Sequence, residues 1–285
     1  MERMDRRWSI IPYESVEELA RQMAAGGSTA SWMTTPNDPD AVEHLKGRTF
    51  TLLLGNGTDM VLDFSDSETL VWTLNGAAQP SCKYSVACAP GMPDIIFLHY
   101  YCTGERYPRC MELILDLATG YCTAIDARLG QIPENPREVT REICFGEIKG
   151  QDHPVESAKH CYTTDLVGRA IHWEMPAFTG KPPIKHIYLS PKYYGIFMTR
   201  DDACFMSTDP AEYIRIRDGL YLVTVVEERR SGIQLTFLIN TDLLEDVVGH
   251  FGISMGNEMG EDTPQIACTM MTGRKGTFVP METVF

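Results

Sequence analysis

From Arg48 onward the chain is cut into short runs of alternating or wholly apolar residues, each closed by a turn signal, with no helical period between them. Thr49-Phe50-Thr51-Leu52-Leu53-Leu54 meets Gly55-Asn56-Gly57 and is answered by Met60-Val61-Leu62-Asp63-Phe64. The Asn-Gly pair suits the positive φ angles of a tight hairpin. Thr69 to Leu74 meets a second Asn-Gly at Asn75-Gly76. Runs follow at Lys83 to Ala87, Asp94 to Tyr101, Cys110 to Asp116, Tyr121 to Arg128 and Val139 to Ile148. Eight successive strands with short connections predict an antiparallel meander, sandwich or closed barrel, not a parallel βα arrangement.

After a polar stretch from Lys149 to Thr164 the pattern restarts. Strands are expected at Ala170 to Glu174, Ile184 to Leu189, Tyr193 to Met198, Ala203 to Met206 and Tyr213 to Ile216. Leu220 to Glu227, Ile233 to Ile239, Val247 to Ile253 and Ile266 to Met271 complete the set. Leu45-Lys46-Gly47-Arg48 returns as Leu166-Val167-Gly168-Arg169, and later runs follow in matching order. Phe97 to Tyr100 answers Leu222 to Val225, and Glu112 to Asp116 answers Leu235 to Asn240. Such order suggests duplication of one β unit, with a chance match of β-rich sequence as the alternative. The expected division is an N-terminal arm (1–44), a first barrel-like unit (45–150) and a second (151–285). In the arm, Ser15-Val16-Glu17-Glu18 has capping-box spacing and opens a short helix through Leu19 to Ala25, while Thr34 to Asp40, with Pro36 and Pro39, reads as an irregular connector.

With 285 residues and 44% hydrophobic content the chain can fill two cores. It holds no apolar window of about twenty residues, and its first residues lack the apolar stretch of a signal peptide, so no membrane partner is expected. Nine scattered cysteines, several inside apolar runs, read as reduced thiols in a cytoplasmic protein. A net charge of −14 without a basic stripe argues against nucleic acid as a partner. Zinc-type paired spacings, a phosphate-cradling glycine loop, a dinucleotide fingerprint, Gly-x-Ser-x-Gly and His-Glu-x-x-His are all missing from the sequence. No metal and no cofactor is therefore expected, and the sequence allows a homodimer.

Asp165-Leu166-Val167-Gly168-Arg169-Ala170-Ile171-His172-Trp173, His186-Ile187-Tyr188-Leu189 and Leu220-Tyr221-Leu222 leading to Glu227 resemble the C-terminal half of the MoaF family. Leu45 to Phe50, Leu70-Val71-Trp72 and Leu115 to Gly120 are similar to its N-terminal domain, so the resemblance spans roughly residues 41 to 255. It implies an all-β chain of two tandem antiparallel, calycin- or lipocalin-like β-barrels with ligand-sized interiors. The family takes its name from molybdenum cofactor operons, which is no reason to assign molybdenum here. Relatives of this shape include cofactor-free decarboxylases and natural-product enzymes, a fold-level analogy only. Met175-Pro176, the stretch from Met198 to Cys204, the missing Trp near Val225, Ser231 and His99 depart from the family pattern. Because these fall at interior or rim positions, the ligand is expected to differ from that of typical relatives.

Alternation sorts the candidate site residues, since those at i, i+2 and i+4 share a face. Tyr221, Val223, Val225 and Glu227 lie together, as do Ile184, His186 and Tyr188, while His172 and Glu174 oppose Trp173. A Glu, a His and a Tyr on mostly apolar faces suit proton transfer and oxyanion stabilisation without a cofactor. His186, Tyr188 and Glu227 are thus the catalytic candidates, with Trp173, Tyr194, His172 and Tyr221 as pocket residues. In the first unit, His99 and Tyr101 with Trp72 suggest an aromatic pocket, and His250 is a weaker candidate. The plainer alternative is that His186 and Tyr188 are tethered core residues and that Glu227 opens a solvated loop. Arg48 and Arg169 are expected to close each barrel end over a core Trp, and His153 and His160 to be solvated in the linker. The expected function is a lyase, isomerase or cyclase of specialised metabolism acting on a small apolar or aromatic metabolite, or a non-catalytic lipocalin-like binding or accessory protein.

Overall fold

A computed structural model describes residues 35–66, 68–132, 138–151, 153–154, 158–174, 184–200, 203–227, 232–255 and 264–281. The helix expected at Leu19 to Ala25 lies outside these residues. The connector expected before Asp40 is in part a helix, α1 (Pro39–Leu45). Its start is well signalled: Pro39 sits in the first turn, and the Asp38 carboxylate caps the chain by accepting from Asp40 N. Asp38 also accepts from Cys88 N, so the cap anchors α1 to the sheet, where Ala41 and Leu45 are fully buried.

The first barrel contains β1 (Thr49–Leu54), β2 (Asp59–Asp63), β3 (Thr69–Leu74), a two-residue β4 (Ala77–Ala78), β5 (Cys82–Ala89), β6 (Met92–Tyr101), β7 (Arg109–Asp116), β8 (Tyr121–Leu129) and β9 (Val139–Ile148). Each main strand pairs antiparallel with the next, and β9 returns to β1, so eight strands close into a ring with β4 outside it. The second contains β10 (Cys161–Tyr162), β11 (Ala170–Trp173), β12 (Ile184–Ser190), β13 (Tyr193–Arg200), β14 (Ala203–Arg217), β15 (Leu220–Glu227), β16 (Ile233–Asn240), β17 (Glu245–Met255) and β18 (Pro264–Val279). Here β11 to β18 form the eight-stranded ring, β18 pairing back to β11, and β10 adds to the edge of β14. The chain is all-β with tandem antiparallel barrels. The two runs read at 203–206 and 213–216 are one strand, β14, which continues through Pro210.

Both copies begin alike. Gly47 N donates to Phe64 O and Gly168 N to Tyr188 O, while each following Arg N donates back to the Leu of the motif. Gly47 and Gly168 adopt φ of +69° and +84°, where a side chain is disfavoured. Leu45 and Leu166 plug the barrel ends, both fully buried. The arginines do not do so. Arg48 and Arg169 are exposed and lie over Phe50 and Phe278, at 4.7 and 5.7 Å, instead of a core Trp. Leucine and glycine, not arginine, carry the motif.

Inside the first barrel the filling is apolar, with Phe64, Trp72, Tyr84 and Tyr100 in edge-to-face contact at 5.4 Å for Phe64–Tyr84 and for Trp72–Tyr100. Such pairs add about 0.5–1.5 kcal/mol each beyond burial. On β1 the rule is strict alternation, Phe50, Leu52 and Leu54 pointing in. On β7 and β15 it fails, because almost every residue is buried. These strands are covered on both faces, as continuous apolar runs require. Their outer faces join the barrels: Ile95, Phe97, Ile114 and Ile125 pack on Ile214, Leu220, Leu222 and Leu238. A second patch sets Tyr101, Cys110 and Leu129 against Val226, Phe251 and Ile253. Charged groups tie the junction's edge, Arg217 gripping Asp94 and Asp116, and Arg141 pairing with Glu212.

Of the two linker histidines, His153 is exposed, as expected, and stacks on Tyr121 at 4.8 Å, whereas His160 is buried, its Nδ1 2.7 Å from Thr123 Oγ1. Among the described residues no helix is long and apolar enough to cross a membrane.

Candidate functional site

The interior of the second barrel differs in kind from that of the first. Strands β11, β12 and β13 turn Trp173, His186, Tyr188 and Tyr194 inward, where all four are almost wholly buried. His186 sits at the centre, its ring 4.7 Å from Phe237, 5.0 Å from Tyr194 and 6.0 Å from Trp173. Tyr188 meets Tyr194 and Tyr213 at 6.4 and 6.0 Å. Across the barrel, Arg274 of β18 lies over Trp173 and Phe237, at 5.0 and 5.2 Å, and is paired bidentately with Asp246 of β17. A buried guanidinium is tolerable only because that carboxylate and the two aromatic faces take the place of water.

Four polar atoms in this interior have no hydrogen-bond partner among the described residues: Trp173 Nε1, His186 Nδ1, Tyr188 OH and Tyr194 OH. The Trp173 indole N–H is directed toward the Tyr188 oxygen without reaching hydrogen-bond geometry. Burial, reinforced by the Arg274 charge, holds His186 well below the usual imidazole range, so the ring is neutral. Burial pushes the phenols of Tyr188 and Tyr194 up, with Asp246 adding to the first and Tyr188 to the second. Both stay protonated near neutrality. The Asp246 carboxyl is raised by burial, an effect that Arg274 opposes. The cluster thus offers a neutral imidazole and several uncharged donors in a setting of low dielectric. It can hydrogen-bond a carbonyl or phenolic oxygen on an otherwise apolar molecule, and the imidazole can accept a proton from it.

The sequence-nominated residues fall into three places. Trp173, His186, Tyr188 and Tyr194 share the second interior. Tyr221 lines it toward one end, its hydroxyl reaching Asp165 at 3.4 Å, and Glu227 ends the same inward row, half-buried and near enough for its charge to act on Tyr194. His172 points the other way on β11 and is half-buried outside the barrel. Trp72 lies in the first interior, its indole nitrogen donating to Pro80 O. His99 and Tyr101 stand on the opposite face of β6 from Tyr100, at the junction, so they share no pocket with Trp72.

Arg274 and Asp246 escaped the sequence reading for a simple reason. The last two strands were expected to end at Met271 and begin at Val247, whereas β18 runs to Val279 and β17 starts at Glu245. A Gly-Arg-Lys-Gly stretch reads as a turn, yet Arg274 pairs with Asp246 across a register shift in the ladder.

Two closed antiparallel barrels define a tandem barrel protein in which, among the described residues, the second interior gathers four unpartnered polar atoms and the first has the Tyr100 hydroxyl. Residues 27–131 match the family model for the MoaF N-terminal domain, a match consistent with membership of the MoaF family and spanning α1 and the strands through β8 of the first barrel. Comparison with curated proteins gives no match.

Proposed function

We propose that the second barrel binds a small apolar or aromatic metabolite and transforms it by acid–base chemistry as a lyase, isomerase or cyclase, using side chains alone. The observation that carries this reading is the convergence of Trp173 Nε1, His186 Nδ1, Tyr188 OH and Tyr194 OH, all buried and unpartnered, around one aromatic interior. Each such atom costs about 1–3 kcal/mol when left dry, so a core built for stability alone would not gather them. A bound carbonyl or phenol oxygen would satisfy several at once. In this reading His186 takes the proton and returns it as imidazolium, Tyr188 and Tyr194 donate hydrogen bonds to the developing oxyanion, and the Glu227 carboxylate at the rim stabilises the imidazolium while it carries that proton. The departures from the family pattern noted in the sequence suit a ligand of specialised metabolism.

A panel of phenols, aryl ketones and fatty acids, screened by thermal shift and then by product analysis, tests the proposal. Aryl ketones or phenols should raise the melting temperature of the unaltered chain. Binding should weaken in Tyr188→Phe, and turnover should vanish in His186→Ala and Glu227→Gln. If turnover survives both of the latter changes, this assignment is wrong. Tight binding with no product for any bound compound favours the carrier reading.

A further inference from the structure

His99 on β6, Cys110 on β7 and Cys268 on β18 meet where the two barrels join. Cys110 Sγ lies 3.2 Å from His99 Nε2 and 3.5 Å from Cys268 Sγ, and the three ligand atoms are all within 4.8 Å of one another. The other ring nitrogen, His99 Nδ1, faces Glu112 Oε1 at 3.4 Å. Glu112 is fixed in turn from the second barrel, its Oε2 accepting from Thr236 Oγ1 at 2.5 Å and from Gln234 Nε2 at 3.0 Å. A metal-bound imidazole is built in this order, one nitrogen toward the ion, the other toward a carboxylate, and the carboxylate held by further donors. We propose that His99, Cys110 and Cys268 form a Zn(II) site that joins the two barrels.

The spacing fits. Tetrahedral zinc sets two sulfurs about 3.8 Å apart and a sulfur and an imidazole nitrogen about 3.6 Å apart. The sulfurs at 3.5 Å and the sulfur–nitrogen pair at 3.2 Å need only a few tenths of an ångström of expansion. A disulfide would instead need the sulfurs to close to about 2.05 Å. Cys268 is the one residue of the three that is partly exposed, so the cluster lies near solvent. Charge agrees with a divalent ion, which two coordinating thiolates would neutralise.

Zinc binding forms two Zn–S bonds and one Zn–N bond, and any protons held by the two thiols and by His99 Nε2 pass to solvent.

Sequence spacing hid this site, because Cys110 lies 11 residues from His99 and 158 from Cys268. To test it, the full chain is stripped with chelator, given Zn(II) alone under reductant, dialysed and assayed for zinc per chain. The unaltered chain should retain one zinc, Cys110→Ser and Cys268→Ser should lose it, and Cys122→Ser, in the first core, should keep it. Glu112→Gln should bind zinc about 10–100-fold more weakly. Cobalt(II) given to the unaltered chain should show a thiolate-to-metal charge-transfer band, a readout that needs no variant. The site is refuted if the unaltered chain retains no zinc and shows no such band, if both cysteine variants retain zinc fully, or if Cys110 and Cys268 are recovered as a disulfide from chain prepared with zinc present.

Discussion

Glu112 and Thr236 occupy the same position in the two copies of the barrel, four residues before the turn-capping Asp116 and Asn240, and they are hydrogen-bonded to each other at 2.5 Å. Equivalent strands, β7 and β16, thus meet outer face to outer face. Beside them Gly249 leaves the space that Glu112 and His99 fill, since a Cβ there would stand 2.6 Å from His99 Nδ1 and 2.9 Å from Glu112 Oε1. Thr236→Val keeps the shape and removes the donor. It should lower unfolding stability by about 1–3 kcal/mol, read as a fall in denaturant midpoint at unchanged slope. An unchanged midpoint would show that Gln234 alone satisfies the carboxylate.

The orphaned hydroxyls of the second interior make stability and binding pull in opposite directions. Tyr188→Phe and Tyr194→Phe delete buried groups that no described residue satisfies, so each should raise the stability of the empty protein, by up to about 1–3 kcal/mol. The same changes should weaken any ligand with a carbonyl or phenol oxygen by about tenfold, near 1.4 kcal/mol. Paired calorimetry and titration check both signs. Destabilisation by both changes would mark the tyrosines as ordinary core.

Asp116 should make the protein sensitive to acid. Burial alone would raise its carboxyl, but His160 at 3.9 Å, the Arg217 guanidinium and the Thr119 amide outweigh it and hold the group far below the usual range. A depressed folded pKa stabilises the fold above the unfolded value of about 3.9, and that stability is lost as pH falls through the folded value. Asp116→Asn, which keeps the turn cap as Asn240 does, should cost about 1–3 kcal/mol at neutral pH. It should also flatten the loss of stability below about pH 4. Denaturation midpoints of the two proteins from neutral to acid pH measure this difference.

The opening motif makes a sharper test of what a repeat is for. Gly47→Ala and Gly168→Ala meet no neighbouring atom, so their cost is backbone strain alone, about 1–2 kcal/mol each. Leu166→Ala should cost about 2–5 kcal/mol, while Arg48→Ala and Arg169→Ala should stay within about 0.5 kcal/mol. Thermal melts of the five variants rank them; an arginine change as costly as the leucine one would restore the arginine reading.

Local signals carried the strands. Asn75-Gly76, with φ of +49° and +76°, turns as its residue types demand, and Phe50, Leu52 and Leu54 alternate as a half-covered strand must. The doubly apolar β7 and β15 were equally visible as runs, but periodicity cannot say what covers a second face. His99 therefore looked like a pocket residue when the second barrel was its neighbour. The inward pair His186 and Tyr188 followed from alternation on one strand. Arg274 and Asp246 did not, because their pairing depends on strand ends, the least legible part of any β sequence.

The contact between Glu112 and Thr236 bears on why the copies share one chain. In a symmetric dimer of the first barrel, joined the same way, Glu112 would face a second Glu112 across the axis, two buried carboxylates with no hydroxyl between them. A symmetric dimer of the second would face threonine with threonine and present neither the histidine nor the acid. Two unlike barrels in one chain let equivalent positions hold unlike partners, so their divergence acts as the source of the junction's chemistry, and the tether keeps the unlike pair together.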